Sequence, residues 1–224
     1  MLLPMDINQE KIIFTNGDSF TFGDELERPY SECWPAKLGE ITKLQVVNFA
    51  RSGAANNRIV ETTKNFFNDL SRLSLVHTIG RAGKGMTSLG SATKIECAVI
   101  QWTSYIRLGP NETIPKNIVL GENEKRYLLD KFFVQVRELQ DFFESRRIPY
   151  LMLNAFDNEK VIPDCDSEFK ELVEDKYFIG WPNEAIVNWV YGMDHGPKGH
   201  PGKLAHAEIA EIIYENIRNK LRVS

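Results

Sequence analysis

Cysteine is scarce in this chain. Its three residues, Cys33, Cys97 and Cys165, are scattered and form no CxxC pair. That excludes a disulfide framework and a cysteine metal site. The three are consistent with free thiols in a reducing compartment, and Cys97, inside an apolar strand-like run, is expected to be buried. Long apolar runs are also missing, so no membrane span is expected. The opening MLLPMDINQEK has too short an apolar stretch and no basic leader, so it does not read as a signal peptide. A large excess of charge of one sign is absent too. The net charge of −4 gives no general attraction to nucleic acid or to an anionic membrane, and neither is expected as a partner. Histidine is limited to His77, His195, His200 and His206. His195 and His200 lie on a Gly/Pro loop without metal-ligand spacing, so no metal or other cofactor is expected. The run GRAGKGMTS lacks the order of a phosphate loop.

What is present is ordinary for a globular protein, with 42% hydrophobic and 26% charged residues. At 224 residues the chain is long for one domain and short for two. It shows no internal repeat, and one domain over 1–224 is expected. Strand-like apolar runs occupy Lys11–Thr15, Gln45–Phe49, Ile95–Trp102 and Ile148–Asn154. Between them lie helical patterns over Glu32–Thr42, from Asn56 through Leu70, over Glu122–Arg146, and around Ile209–Leu221, all with 3.6-residue spacing. Alternating units with continuous apolar strands predict an α/β fold whose parallel sheet is covered on both faces. Two segments break this rhythm and read as long surface loops: Arg72–Lys94, rich in glycine and serine with no acidic residue, and the acidic Asn154–Asp175.

The most informative stretch is KIIFTNGDSFTFGDEL, residues 11–26. An apolar strand ends in Gly17-Asp18-Ser19, which delivers Ser19 to a tight turn at the carboxyl edge of the sheet, where ligands bind in open α/β folds. Ser19 there is either a nucleophile awaiting a base or a cap for the next helix.

Asn16-Gly17-Asp18-Ser19-Phe20 resembles the first block of the SGNH (GDSL-type) hydrolases. The longer GDSFTFGDEL, with Trp34-Pro35 after it, is similar to small SGNH proteins of phages and marine bacteria. Three further segments fit that family in order, so the resemblance spans nearly the whole chain. It implies a three-layer α/β/α sandwich of the flavodoxin type, with Ser19 as nucleophile. GHPGKLAHAEIAEII resembles the last block and puts His200, before Pro201, in the position of the base. His206, three residues before Ile209, reads as a packed core histidine. His195 reads as a loop or supporting residue, and His77 carries no motif. The family's aspartate, three residues before the histidine, falls on Pro197, and no Asp-x-x-His occurs. Asp194 is the candidate orienting carboxylate, if its loop folds back. The alternatives are a Ser–His dyad supported by a backbone carbonyl, with Asp194 as a turn or cap residue.

By the same resemblance the oxyanion hole would comprise the Ser19 N–H, Gly53 within VVNFARSGAANNRIV, and Ser104, which stands where the family has asparagine. Losing one such donor costs ~3 kcal/mol in the barrier. Asn56 and Asn57 are candidate helix caps. Asn57, Trp102 and Arg107 are candidate substrate contacts, Arg107 holding either a substrate anion or an ion pair. The implied activity is a serine esterase acting through an acyl-enzyme on a small acyl group, such as acetyl, on a carbohydrate or other polar carrier. The alternative is a non-catalytic SGNH-like protein, carbohydrate-binding or structural within a phage particle. The expected partners are an ester substrate, small or polysaccharide, and a homo-oligomer or virion assembly. The expected setting is cytoplasmic or virion-associated.

Overall fold

The structure is a computed structural model that describes residues 11–72, 75–76, 89–90, 94–109, 112–113, 120–156 and 168–221. Five strands form one parallel sheet: β1 (Lys11–Asn16), β2 (Gln45–Asn48), β3 (Lys94–Trp102), β4 (Tyr150–Asn154) and β5 (Phe178–Ile179), in the spatial order β2-β1-β3-β4-β5. Ile13 pairs with Val46 on one side and Cys97 on the other, and Ile100 pairs with Met152.

The helices are α1 (Ser19–Phe22), α2 (Pro29–Glu32), α3 (Trp34–Thr42), α4 (Asn56–Arg72), α5 (Glu122–Ser145), α6 (Ile186–Trp189) and α7 (Lys203–Leu221). Side chains alternate along a strand, and the core divides accordingly. Ile12, Phe14, Ala98, Ile100, Trp102 and Met152 face α4 and α5 through Ile59, Phe66, Phe67, Phe132 and Phe133. Ile13, Cys97, Val99, Leu151 and Leu153 face α3 and α7 through Trp34, Leu38, Ile209 and Ile213. This is the parallel sheet covered on both faces expected from the alternating patterns, and the three-layer α/β/α sandwich that the resemblance implies.

The four long strands and four long helices fall where their periodicity puts them. Cys97 is fully buried and its thiol is free, as is that of Cys33. Burial pushes the Cys97 thiol up to about 12, which keeps it protonated and unreactive. Not foreseen were β5 and the one-turn helices α1, α2 and α6, which are too short to show a period. Within the first expected loop, Leu75–Val76 pairs antiparallel with Leu89–Gly90. Residues 73–74, 77–88 and 91–93 of that loop and residues 157–167 of the second, with His77 and Cys165, lie outside the described residues. Among the described residues no helix is long and apolar enough to cross a membrane.

Candidate active site

The carboxyl edge of β1 builds the site. Asn16, buried at the strand end, donates from Nδ2 to the Ile59 carbonyl at 3.2 Å and to the hydroxyls of Thr62 and Thr63, each at 2.9 Å, while its Oδ1 accepts from Gly17 N–H at 2.9 Å. This ties the turn to α4. Asp18, fully buried, caps α1 by accepting from Phe20 N–H at 3.0 Å and accepts from the Thr103 hydroxyl at 2.6 Å. Burial raises its pKa, opposed by the Thr103 and Phe20 hydrogen bonds and the charge of Arg107. Ser19 is thereby fixed as the first residue of α1, 5% exposed. Its hydroxyl makes no hydrogen bond among the described residues. Ser19 is not the cap of this helix; Asp18 is.

His200 comes from the loop before α7 and reaches the same rim. Its ring packs edge-on against Phe20, with centroids 5.6 Å apart. Its Nδ1 lies 2.9 Å from Glu25 Oε2. The same carboxylate accepts from the backbone N–H of Lys198 at 2.9 and 3.1 Å and of His200 at 3.2 Å. Burial pushes the Glu25 carboxyl upward, but the bonds from His200 and Lys198 outweigh it, and the net displacement is below the usual range. Glu25 is therefore ionised at neutral pH. Its backbone is left-handed, at φ 69°, a conformation a non-glycine residue adopts at a cost of ~1–2 kcal/mol. His200 Nε2 lies 3.9 Å from Asp24 Oδ2, an oxygen that also accepts from the Ser52 hydroxyl.

The carboxylate on His200 is thus Glu25, and Asp194 corrects the expectation. Asp194 accepts from Leu204 N–H at 3.1 Å and Ala205 N–H at 2.8 Å. Both oxygens are spent on the free N–H groups at the start of α7, the role of a helix cap. Gly202, with no side chain, leaves that approach open, since a Cβ there would fall onto the Asp194 carboxylate. The motif GDSFTFGDEL contains Glu25, but only the folded loop shows that it meets His200.

The second expected site residue that moves is Trp102. It is fully buried, with its ring edge-on to Phe132 at 5.8 Å. It shares the α4/α5 face of β3 with Ala98 and Ile100, so it is a core residue and not a substrate contact. Gly53 adopts φ +72° in the turn between β2 and α4, and that loop is pinned to the Ser19 turn by Arg51 N–H donating to the Gly17 carbonyl at 3.2 Å. Ser104, half-buried, stands just past β3, and its carbonyl accepts from Arg107 N–H at 3.1 Å. Asn56 brackets Thr103, accepting from its N–H at 3.0 Å and donating to its carbonyl at 3.2 Å. Exposed Asn57 accepts from Arg58 N–H at 2.9 Å. Asn57 and Arg107 line one pocket with Asn56, Tyr105, Lys131 and Gln135.

His206 is fully buried, with Nδ1 accepting from Trp34 N–H at 3.1 Å, the packed core position expected of it. His195 is exposed, bridges to Pro201, and has Nδ1 3.2 Å from the Gly196 carbonyl. Among the described residues no three His, Cys, Asp or Glu side chains gather in a way that could hold a metal ion.

No protein-family model matches the chain, and no curated protein matches it. Solved structures do. One is assigned to the G-D-S-L lipolytic family, from Desulfitobacterium hafniense DCB-2, with TM-score 0.50 and 15% identity, covering 92% of this chain and 98% of the other. The esterase EstA from Pseudoalteromonas sp. has TM-score 0.51 and 11% identity, covering 94% and 98%. The acetyl xylan esterase Est2A from the rumen bacterium Butyrivibrio proteoclasticus has TM-score 0.56 and 10% identity, covering 96% of this chain and 66% of the other. At these identities the likeness establishes a shared fold.

Proposed function

We propose that the chain is a serine esterase in which Ser19 is the nucleophile and His200 its base. The observation that carries this reading is the meeting of two segments far apart in sequence. The imidazole of His200 packs on Phe20, the neighbour of Ser19, and its Nδ1 is engaged by an ionised carboxylate at 2.9 Å.

The chemistry follows from that arrangement. Glu25, as an acceptor, requires the proton on Nδ1, which leaves Nε2 with its lone pair free to take the Ser19 hydroxyl proton. The alkoxide attacks the ester carbonyl, and the backbone N–H groups of Ser19 and Gly53, with the Ser104 hydroxyl, hold the developing oxyanion. Protonated His200 then gives its proton to the leaving alcohol, and water releases the acyl group by the same steps in reverse. Glu25 stabilises the imidazolium as it forms, so it acts as a positioning residue. The substrate is an ester of a small acyl group with a carbohydrate or similarly polar carrier.

The test is para-nitrophenyl acetate turnover by the wild type and Ser19→Ala. The expected result is turnover by the wild type that falls to background in the variant. Equal, background-level rates would overturn the esterase and leave a binding or structural role for the same fold.

A further inference from the structure

The pocket beside the nucleophile turn carries charge that the esterase mechanism leaves unused. Its walls come from the start of α4 (Asn56, Asn57), the segment after β3 (Tyr105, Arg107) and α5 (Lys131, Gln135). Two cations face it, and among the described residues no acidic side chain lines it. Among the described residues the Arg107 side chain makes no hydrogen bond or ion pair, and its Nε is buried without a partner. Lys131 is exposed on α5 and likewise forms no ion pair there. The compensating charge for Arg107 is Asp18, but the Asp18 oxygens are already taken by Phe20 N–H and the Thr103 hydroxyl. A guanidinium donates a planar fork of N–H groups that suits a carboxylate or phosphate, and here that fork has no acceptor among the described residues.

The pocket is also in the right place. Asn56 holds Thr103, Thr103 holds Asp18, and Asp18 precedes Ser19, so one chain of hydrogen bonds separates the cations from the nucleophile. The pocket lies on the α4/α5 layer, whereas His200 arrives on the α7 side, so the two approach the Ser19 turn from opposite faces of the sheet. The enclosed space is small and holds little more than a water-sized group, so it receives a substituent and not a whole ligand. We propose that this pocket is a subsite for an anionic group, carboxylate or phosphate, borne by the ester substrate. The inference rests on the esterase reading and narrows its substrate class. The anion could belong to the acyl part or to the alcohol part.

Two matched pairs of esters separate these sources. Para-acetoxybenzoate and its methyl ester differ only by a charge on the alcohol part. Para-nitrophenyl hydrogen adipate and its methyl ester differ only by a charge on the acyl part. Wild-type kcat/KM should favour the charged member of at least one pair by about tenfold or more, the scale of a hydrogen bond to a charged group. Arg107→Met and Lys131→Met should each pull that ratio toward one. A ratio at or below one in both pairs, or a preference that survives both substitutions, overturns the subsite. Lys131 is exposed, so its substitution reads the pocket even if Arg107→Met fails to fold. Calorimetric binding of para-acetoxybenzoate and monomethyl adipate to Ser19→Ala tests the subsite without turnover: binding of neither, or binding unchanged by Lys131→Met, refutes it. Ser19-dependent hydrolysis of the neutral esters upholds the esterase whichever way the anion experiment falls.

Discussion

His206 makes the stability of the fold depend on pH in a calculable way. The imidazole is fully buried between α3 and α7, with Nδ1 accepting from Trp34 N–H. Nδ1 must be unprotonated to accept that bond, and burial of the ring lowers its pKa from 6.5 to about 4, with Asp194 opposing and His200 adding to the shift. In the unfolded chain the ring protonates as pH falls below 6.5, while in the fold it stays neutral until about 4. Across that window the unfolded state binds the extra proton, so stability falls as pH falls, and below about 4 the loss levels off. With ~1.4 kcal/mol for each tenfold in proton affinity, the whole displacement amounts to about 3 kcal/mol. His206→Asn keeps an acceptor for Trp34 N–H and removes the titration. Urea unfolding at several pH values between 7.5 and 4 should show wild-type stability dropping by about 3 kcal/mol more than that of the variant. Taking the difference cancels the carboxylates common to both. A difference that stays flat over the window refutes the neutral buried imidazole.

Other substitutions separate the roles of neighbouring groups. Glu25→Gln can no longer fix the His200 tautomer and should lower kcat by roughly 10²-fold or more, whereas Asp194→Ala should cost ~1 kcal/mol of stability as a lost cap with kcat near normal; the reverse pattern in ester kinetics and thermal melts would restore Asp194 as the orienting acid. Gly17→Ala would drive a Cβ into the Thr21 side chain and to 2.9 Å from Gln101 Oε1, against a buried 2.7 Å hydrogen bond between those two residues, so a destabilisation of ~1–3 kcal/mol is expected by calorimetry. Gly53→Ala strains a backbone at φ +72° by ~1 kcal/mol and should lower kcat by moving the oxyanion N–H; an unchanged rate removes Gly53 from the mechanism.

Much of this architecture was legible in the sequence because it depends on local periodicity. The apolar runs that became β1, β3 and β4 and the 3.6-residue stripes of α4, α5 and α7 each encode which face is buried. The burial of Trp102, expected instead as a substrate contact, had a signal too: it stands two residues from Ile100 and four from Ala98 on one strand, so the period that buries them buries it. The partner of His200 was not legible by such rules. Asp194 looked suitable because it is near in sequence, yet the intervening turn sends its carboxylate to the N–H groups of Leu204 and Ala205. Glu25 lies far away in sequence, and its meeting with His200 depends on a left-handed residue that no spacing rule announces.

In the proposed mechanism that left-handed residue takes the place of an aspartate three residues before the histidine. An orienting group needs only an ionised acceptor at Nδ1, held rigidly. Glu25 supplies the acceptor, and the loop around it supplies the rigidity through the Lys198 and His200 N–H groups bound to the same carboxylate. Gly196 lets the carboxylate lie against the loop, since a Cβ there would stand 2.6 Å from Glu25 Oε2. In the proposed mechanism the base is therefore organised by the same short segment, residues 18–25, that presents the nucleophile. The Glu25 carboxylate is bonded to the loop before α7, so a shift of α7 on the sheet pulls on the ring and its carboxylate together. Mutations in the α3–α7 contact should accordingly change kcat through the imidazole while leaving the Ser19 turn, anchored by Asn16 and Asp18, in place.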